Sequence, residues 1–216
     1  MSYFIKLTGL LAEGLQYTLG LFFVTILLSL PLGMLLMFGK RSRFAPLRWF
    51  IDFYVWLMRG TPLLLQLYFF YYGLAFIPFV GQYLTMERFP AAILTFVLNY
   101  AAYFCEIFRG GMFAIDKGQY EAAQVLGFSK WHTFWRITLP QMLRVCLPSI
   151  TNETITLVKD TALVTAVGVT EILYFAKTSV NRDVNASAYL VAAVFYLVMN
   201  YGLTFLFKRL EKKLKF

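Results

Sequence analysis

The chain has 216 residues, of which 60% are hydrophobic and only 14% are charged. Soluble globular domains are nearer half apolar and a quarter charged, so this composition excludes a soluble protein with a polar surface and predicts an integral membrane protein in contact with lipid. The formal net charge of +9 does not indicate nucleic-acid binding, because Lys and Arg accumulate in the cytoplasmic loops of membrane proteins.

The charge-free windows of the sequence predict about five transmembrane helices in a single all-α membrane domain that covers residues 1–216. The predicted spans are 14–39, 49–77, 90–113, 141–166 and 186–207. With an odd number of spans, the basic clusters at 40–48 and 208–215 share one side, which is the cytoplasmic side by the positive-inside rule. We therefore expect the amino terminus outside the cell and the carboxyl terminus inside.

The segment 116–140 is then cytoplasmic as well, and its pattern predicts two short amphipathic helices. Residues 120–126 are good helix formers, and Gly127 is suited to a left-handed turn that ends the first helix. Ser129 is a suitable cap for the second helix, and Pro140 is expected to separate that helix from the next span. The periodicity alone fits equally well a helix pair that lies on the lipid surface.

The fourth predicted span carries the densest set of polar side chains in the chain. They recur at helical spacing and form one stripe: Ser149, Asn152, Glu153, Thr156, Lys159 and Asp160. Ionisable groups at membrane depth are costly and indicate function by default, so the stripe is expected to face protein or water. The alternative is that the stripe only bonds neighbouring helices, with Lys159 neutralising Glu153 or Asp160.

The second predicted span is interrupted by Gly60 and Pro62, which leave backbone groups without helical partners. Arg59, Thr61 and Gln66 lie beside this interruption and supply polar groups. Broken helices at membrane depth often mark solute sites, although a simple proline kink accounts for the pattern equally well.

Asn99, Tyr103 and Glu106 recur at helical spacing along the third predicted span. They either line a path or pack against other helices. We expect packing for Tyr103 and a buried ion pair for Glu106, because a carboxylate at this depth needs a partner.

The sequence contains no catalytic constellation, phosphate-binding loop or metal-ligand cluster. Cys105, Cys146 and the single His132 form no ligand pattern. We therefore expect no catalytic residues, no metal and no enzymatic activity of the chain itself.

The segment EAAQVLGFSKWHTFWRITLP at 121–140 resembles the coupling loop of ATP-binding-cassette (ABC) importer permeases. The fixed positions of that pattern are Glu121, Ala122, Ala123, Gly127, Ile137, Leu139 and Pro140. The segments RGTPLLLQLYFFYYGL at 59–74, NYAAYFCEIFRGG at 99–111 and LPSITNETITLVKDTALVTAVGVTEIL at 147–173 are similar to the permeases of polar amino acid importers. One departure is Ala162, where many relatives have Ser.

The resemblance implies a type I importer permease fold in the bacterial cytoplasmic membrane. It also implies three kinds of partner: a second permease subunit, identical or different; two ABC ATPase subunits, which dock on the coupling loop and bind the ATP and Mg²⁺; and an extracytoplasmic solute-binding protein, which delivers an amino acid. No cofactor is expected in this chain.

We expect the substrate path to involve the polar residues of the spans: Arg59, Thr61, Gln66, Asn99, Asn152, Glu153, Thr156, Lys159 and Asp160. Two other functions compete with that of an importer permease. A self-contained secondary carrier or channel is disfavoured by the coupling loop, and a membrane-anchored structural or signalling subunit by the charged stripe.

Overall fold

The computed structural model describes residues 2–79 and 81–214, and these are almost entirely helical. In these residues nine α-helices follow in chain order: α1 (Ser2–Lys40), α2 (Ala45–Gly60), α3 (Leu63–Tyr68), α4 (Arg88–Phe113), α5 (Lys117–Val125), α6 (Lys130–Thr133), α7 (Leu139–Asp160), α8 (Ile172–Asp183) and α9 (Ser187–Leu214). The predicted all-α fold is confirmed.

Within the described residues, α1, α4 and α9 are long and apolar enough to cross a membrane. The helical stretch Lys130–Val167 and the following helix Ile172–Asp183 together form a fourth candidate, bent by 53°. The first helix begins at Ser2, well before the predicted start of the first span at 14. The predicted start follows the charged Glu13. Glu13 lies exposed within α1, and a charge on the solvated face of a helix does not end that helix.

The predicted span 49–77 consists of two helices that are separated at Thr61 and Pro62. Thr61 has extended backbone angles, φ −119° and ψ 148°, and ends α2. A residue that precedes proline is driven out of the helical region by the proline ring, which explains the break. After α3 the chain continues through a π-helical turn, Phe69–Gly73, and a 3₁₀ turn, Leu74–Phe76.

The central helix of the fold is α4, which packs against α1, α2, α3 and α7. Within the apolar windows of these spans, 67% of α4 is buried but only 6% of α9. Many of the buried α4 residues are small, as at Ala91, Ala92, Ala101 and Ala102, and small residues let membrane helices approach closely. The core therefore surrounds α4, and α9 lies largely exposed at its edge.

At Gly33 the backbone of α1 lies directly against α4. A Cβ atom at this position would be 2.7 Å from the Cβ of Phe104 and 3.0 Å from the carbonyl oxygen of Ala101. Neither neighbour is the flexible end of a side chain. Only glycine therefore fits this contact between the two helices.

Replacing Gly33 with alanine should destabilise the protein by about 1–3 kcal/mol, because the added methyl group forces α1 and α4 apart. Equilibrium unfolding of the detergent-solubilised protein would measure this. Gly9→Ala is the matched control, since a Cβ at Gly9 meets no atom within 4 Å, and it should be neutral or slightly stabilising. Equal effects of the two substitutions would contradict the proposed crowding at Gly33.

The expectation that Pro140 separates the second cytoplasmic helix from the next span is wrong. The helix runs from α6 through a π-helical turn, Phe134–Thr138, directly into α7. Pro140 lies in the first turn of α7, where the wider turn before it accommodates a residue without an N–H donor.

Candidate functional site

The break between α2 and α3 is closed by two buried amide side chains. The Gln66 Nε2 donates to the carbonyl oxygen of Met58 at 2.9 Å and to the Thr61 hydroxyl at 2.7 Å. The Asn99 Nδ2 on α4 donates to the same Met58 carbonyl at 3.0 Å and to the Gln66 side-chain oxygen at 3.0 Å. These bonds satisfy backbone oxygen atoms that the interrupted helix leaves without partners.

Gln66 and Asn99 are only 7% and 4% exposed. Their amide groups are committed to the break, and the Thr61 hydroxyl donates to the Leu57 carbonyl at 2.8 Å. The structure thus places Gln66 and Asn99 inside the subunit rather than on an open surface. Their role here is to hold α2, α3 and α4 together.

Glu106 on α4 is the centre of a charge network that joins three helices. Lys40 of α1 contacts one carboxylate oxygen of Glu106, Oε1, at 2.7 Å, and Asp52 of α2 at 2.9 Å. Arg109 donates from Nε and Nη2 to the other oxygen, Oε2, at 2.9 and 2.6 Å. The ion pair predicted for Glu106 is confirmed.

Arg59, the last charged residue of α2, is only loosely attached to this network. Its nearest nitrogen lies 3.9 Å from Oε2 of Glu106, and its guanidinium carbon lies 5.4 Å from the ring centre of Tyr103. In the described part of the chain, this guanidinium donates no hydrogen bond to another residue. Its charge is therefore partly balanced, and its N–H donors are available.

A cavity of about 400 Å³ lies beside Arg59, between α4 and α7. Its polar lining comes from two sides. Arg59, Tyr103 and Glu106 line one side, and Ser149 and Glu153 of α7 line the other. The cavity therefore contains the Arg59 cation, whose N–H donors are unused, and the Glu153 carboxylate of α7, which the sequence pattern predicts to be functional.

The polar stripe of α7 faces away from the interior of the subunit. Asn152 and Lys159 are exposed and Glu153, Thr156 and Asp160 are half-buried, whereas Thr154, Leu157 and Val158 on the opposite face are buried. The stripe lies on one face of α7, but the cavity contains only Glu153 and Ser149 of its members.

Lys159 lies beside Asp160 in the chain and attracts its carboxylate electrostatically, but forms no close ion pair with it or with Glu153 among the described residues. Asp160 instead accepts a hydrogen bond from the buried Tyr100 hydroxyl at 2.8 Å. Glu153 and Lys159 are six positions apart, which is not the spacing of three or four at which side chains on a helix meet.

The segment 116–140 forms two helices joined by a sharp turn, as predicted. The Asp116 carboxylate accepts from the Gly118 N–H at 2.6 Å and begins α5. Gly127 has φ +74°, the left-handed conformation that ends a helix. The Ser129 hydroxyl accepts from the His132 N–H at 3.2 Å and begins α6, so the caps of both helices are in place.

An exposed apolar surface covers this helix pair. It consists of Val125, Leu126, Phe128, Trp131 and Trp135, which are 87%, 70%, 41%, 71% and 48% exposed. Such a patch on a protein surface indicates an interaction site. Of the fixed pattern positions, Glu121, Ala122 and Pro140 are exposed, Ala123 is buried, and Ile137 and Leu139 are half-buried.

Sequence reasoning missed several partners. The spacing of three residues between Glu106 and Arg109 is a signal that could have been used. The contacts of Lys40 with Glu106 and of Tyr100 with Asp160 are remote along the chain and leave no local pattern. The same is true of the fully buried Glu171, which accepts hydrogen bonds from the Tyr196 hydroxyl at 2.6 Å, from the Tyr174 N–H at 2.8 Å and from the Thr165 hydroxyl.

The chain matches the family described as binding-protein-dependent transport system inner membrane component over residues 29–216. The matched part includes the helix break, the cavity and the helix pair α5–α6. The chain belongs to this family and is an inner-membrane permease of an ABC-type transport system, in which the permease is not itself the catalytic part.

Curated relatives match along almost the whole chain. The chain is 40% identical to the arginine transport system permease protein ArtQ of Bacillus subtilis over 204 residues, which are 94% of this chain and 91% of that protein. It is 33% identical to the L-cystine transport system permease protein TcyB of the same organism over 207 residues, 95% of this chain and 86% of that protein.

Solved structures have the same fold. A crystal structure of an amino acid ABC transporter with histidines matches with a TM-score of 0.88 and 29% identity, covering 98% of this chain and 97% of that chain. The inward-facing MetNI methionine ABC transporter matches with a TM-score of 0.77 and 22% identity, covering 96% and 97%. The predicted importer permease fold is confirmed, and the comparisons favour an importer permease over a self-contained carrier.

Substituting Gln66 with alanine should destabilise the protein by about 1–3 kcal/mol, because the Thr61 carbonyl loses its side-chain donor and the buried Asn99 amide loses an acceptor. Thermal and chemical unfolding of the purified protein in detergent would measure the loss. Gln82→Ala is the control, since Gln82 is exposed in the loop before α4. An unchanged stability of Gln66→Ala would show that the break does not need these bonds.

Proposed function

We propose that this chain is the permease subunit of an ABC importer that moves a polar amino acid into the cell. The observation that carries the proposal is the cavity in which Arg59 and Glu153 are brought together. An amino acid is a zwitterion, and a cation and a carboxylate that line one cavity are complementary to its two charges. The amino acid transport named for its relatives supports the same substrate class.

We propose an orientation in which the amino terminus is outside and the carboxyl terminus is cytoplasmic. Basic residues support it, because Arg41, Arg43 and Arg48 follow α1 and Lys208, Arg209, Lys212 and Lys213 end α9. Both groups would lie on the cytoplasmic side, where Lys and Arg are enriched. The helix pair α5–α6 then lies on that side as well.

The partners in this proposal are a second permease subunit, two ABC ATPase subunits and an extracytoplasmic solute-binding protein. The exposed polar stripe of α7 supports the second subunit, because polar groups at membrane depth need protein or water beside them. The exposed apolar surface of α5 and α6 supports docking of an ATPase, which would bind the ATP and Mg²⁺.

Reconstitution into proteoliposomes tests the function. Uptake of labelled L-arginine, L-cystine and L-glutamine would be measured with the solute-binding protein and ATPase encoded beside this gene, and again without the ATPase. The proposal requires uptake that depends on ATP and on the ATPase. Uptake by the permease alone would establish a self-contained carrier, and the absence of uptake of any amino acid in a full panel would refute the substrate class.

Gly127→Val should abolish ATP-driven uptake and weaken co-purification with the ATPase. A β-branched residue at φ +74° is strained by roughly 1–2 kcal/mol or more, and a Cβ there meets no atom within 4 Å, so the effect would arise from the backbone turn rather than from crowding. Gly202→Val, at a similarly open helical position, is the control and should assemble normally. Normal uptake by Gly127→Val would refute the role of the turn.

Glu153→Gln should lower the rate of uptake at least about tenfold, because it removes the carboxylate that faces Arg59 in the cavity. The double substitution Glu153→Gln with Lys159→Met should not restore uptake, since the structure has no ion pair between the two residues. Uptake kinetics at matched membrane abundance would measure both, with the exposed Glu87→Gln as control. Restoration by the double change would mean that Glu153 only balances Lys159.

A further inference from the structure

Two arginines approach the same oxygen of Glu106 but make different contacts with it. Arg109 donates two hydrogen bonds to Oε2, at 2.9 and 2.6 Å, whereas the nearest nitrogen of Arg59 is 3.9 Å away. Both arginine side chains are 43% exposed, so burial does not explain the difference. The oxygen is already occupied by Arg109, and Arg59 is attracted to it without a hydrogen bond.

The other oxygen of Glu106 is occupied as well. Lys40 contacts Oε1 at 2.7 Å and is itself held by Asp52 at 2.9 Å. The carboxylate is therefore saturated by cations from α1 and from its own helix. Arg59 remains at the edge of the network, beside the Tyr103 ring and on the wall of the cavity.

We propose that Arg109 is a positioning residue for the substrate: by occupying Oε2 of Glu106, it prevents Arg59 from pairing with Glu106 and keeps the Arg59 donors available for the carboxylate group of an amino acid. This inference rests on the proposed function. Arg109 acts on the substrate only through Arg59, and it determines how strongly the site discriminates a carboxylate from an uncharged group.

The physical basis is a competition between two carboxylates for one guanidinium. A two-point pair of arginine with carboxylate is geometrically specific and stronger than a neutral hydrogen bond. If Arg109 were absent, Oε2 of Glu106 would be free and Arg59 would need to move only about 1 Å to reach hydrogen-bonding distance. The internal pair would then compete with the substrate, and carboxylate binding would weaken.

Ligand binding to the assembled permease and ATPase in nanodiscs tests this, with radiolabelled L-arginine and its carboxamide L-argininamide as competitor. If the uptake panel identifies another amino acid, that amino acid and its carboxamide are used. Arg109→Gln should raise the Kd of the amino acid about tenfold, and that of the carboxamide less than about twofold. A merely structural role would weaken both ligands equally.

Two further substitutions, each combined with Arg109→Gln, distinguish competition for Arg59 from a general loss of positive charge. Glu106→Gln and Asp52→Asn each restore the net charge in the Arg109→Gln protein, but only Glu106→Gln removes the competitor of the substrate. We expect Glu106→Gln to return the Kd of the amino acid to within about twofold of the original value and Asp52→Asn to leave it raised. Rescue by both substitutions, or by neither, would overturn the proposal.

Glu106→Gln alone provides an independent measurement that does not need the Arg109 variant to assemble. It should lower the Kd of the amino acid, because the internal carboxylate that attracts Arg59 is removed. A Kd of an intact, assembled Glu106→Gln complex that is unchanged or raised would overturn the proposal. A wild-type complex that neither imports nor binds any amino acid would instead refute the proposed function, so the two failures are distinguishable.

Discussion

The constraint on which the rest of this structure depends is that polar groups in a hydrocarbon surrounding must find their partners within the protein. The break between α2 and α3 illustrates it most directly. Thr61 and Pro62 stop the helix, and the carbonyl groups left over are bonded by Gln66 and Asn99. Without these two amides, the broken helix would carry unsatisfied backbone oxygen atoms.

The same constraint separates structural polar groups from those available for function. Glu106 is saturated by Lys40 and Arg109, and Glu171 by three donors. Arg59 and Glu153 line the same cavity as Glu106, but Arg59 donates no hydrogen bond within the described residues. Groups that folding does not satisfy are the ones that a substrate or a second subunit can bind.

The continuous helix from α6 into α7 connects the exposed apolar surface of the helix pair to the cavity. Its amino-terminal turns belong to the exposed apolar surface, where Trp131 and Trp135 lie, and its middle carries Glu153 on the cavity wall. The π-helical turn at Phe134–Thr138 preserves this connection despite Pro140. The helix pair α5–α6 and the carboxylate in the cavity are therefore joined by one continuous helical element.

The sequence by itself determined the membrane class, the all-helical fold, the helix break, the turn at Gly127 and the polar stripe of α7. These follow from composition, helical periodicity and the backbone preferences of glycine and proline, all of which are local properties. It did not determine that Gln66 and Asn99 are buried, that Pro140 lies within a continuous helix, or that Lys40 and Glu106 meet. Only the tertiary structure decided these, because they depend on which helices pack together and on how residues far apart in the chain satisfy each other's charges and hydrogen bonds.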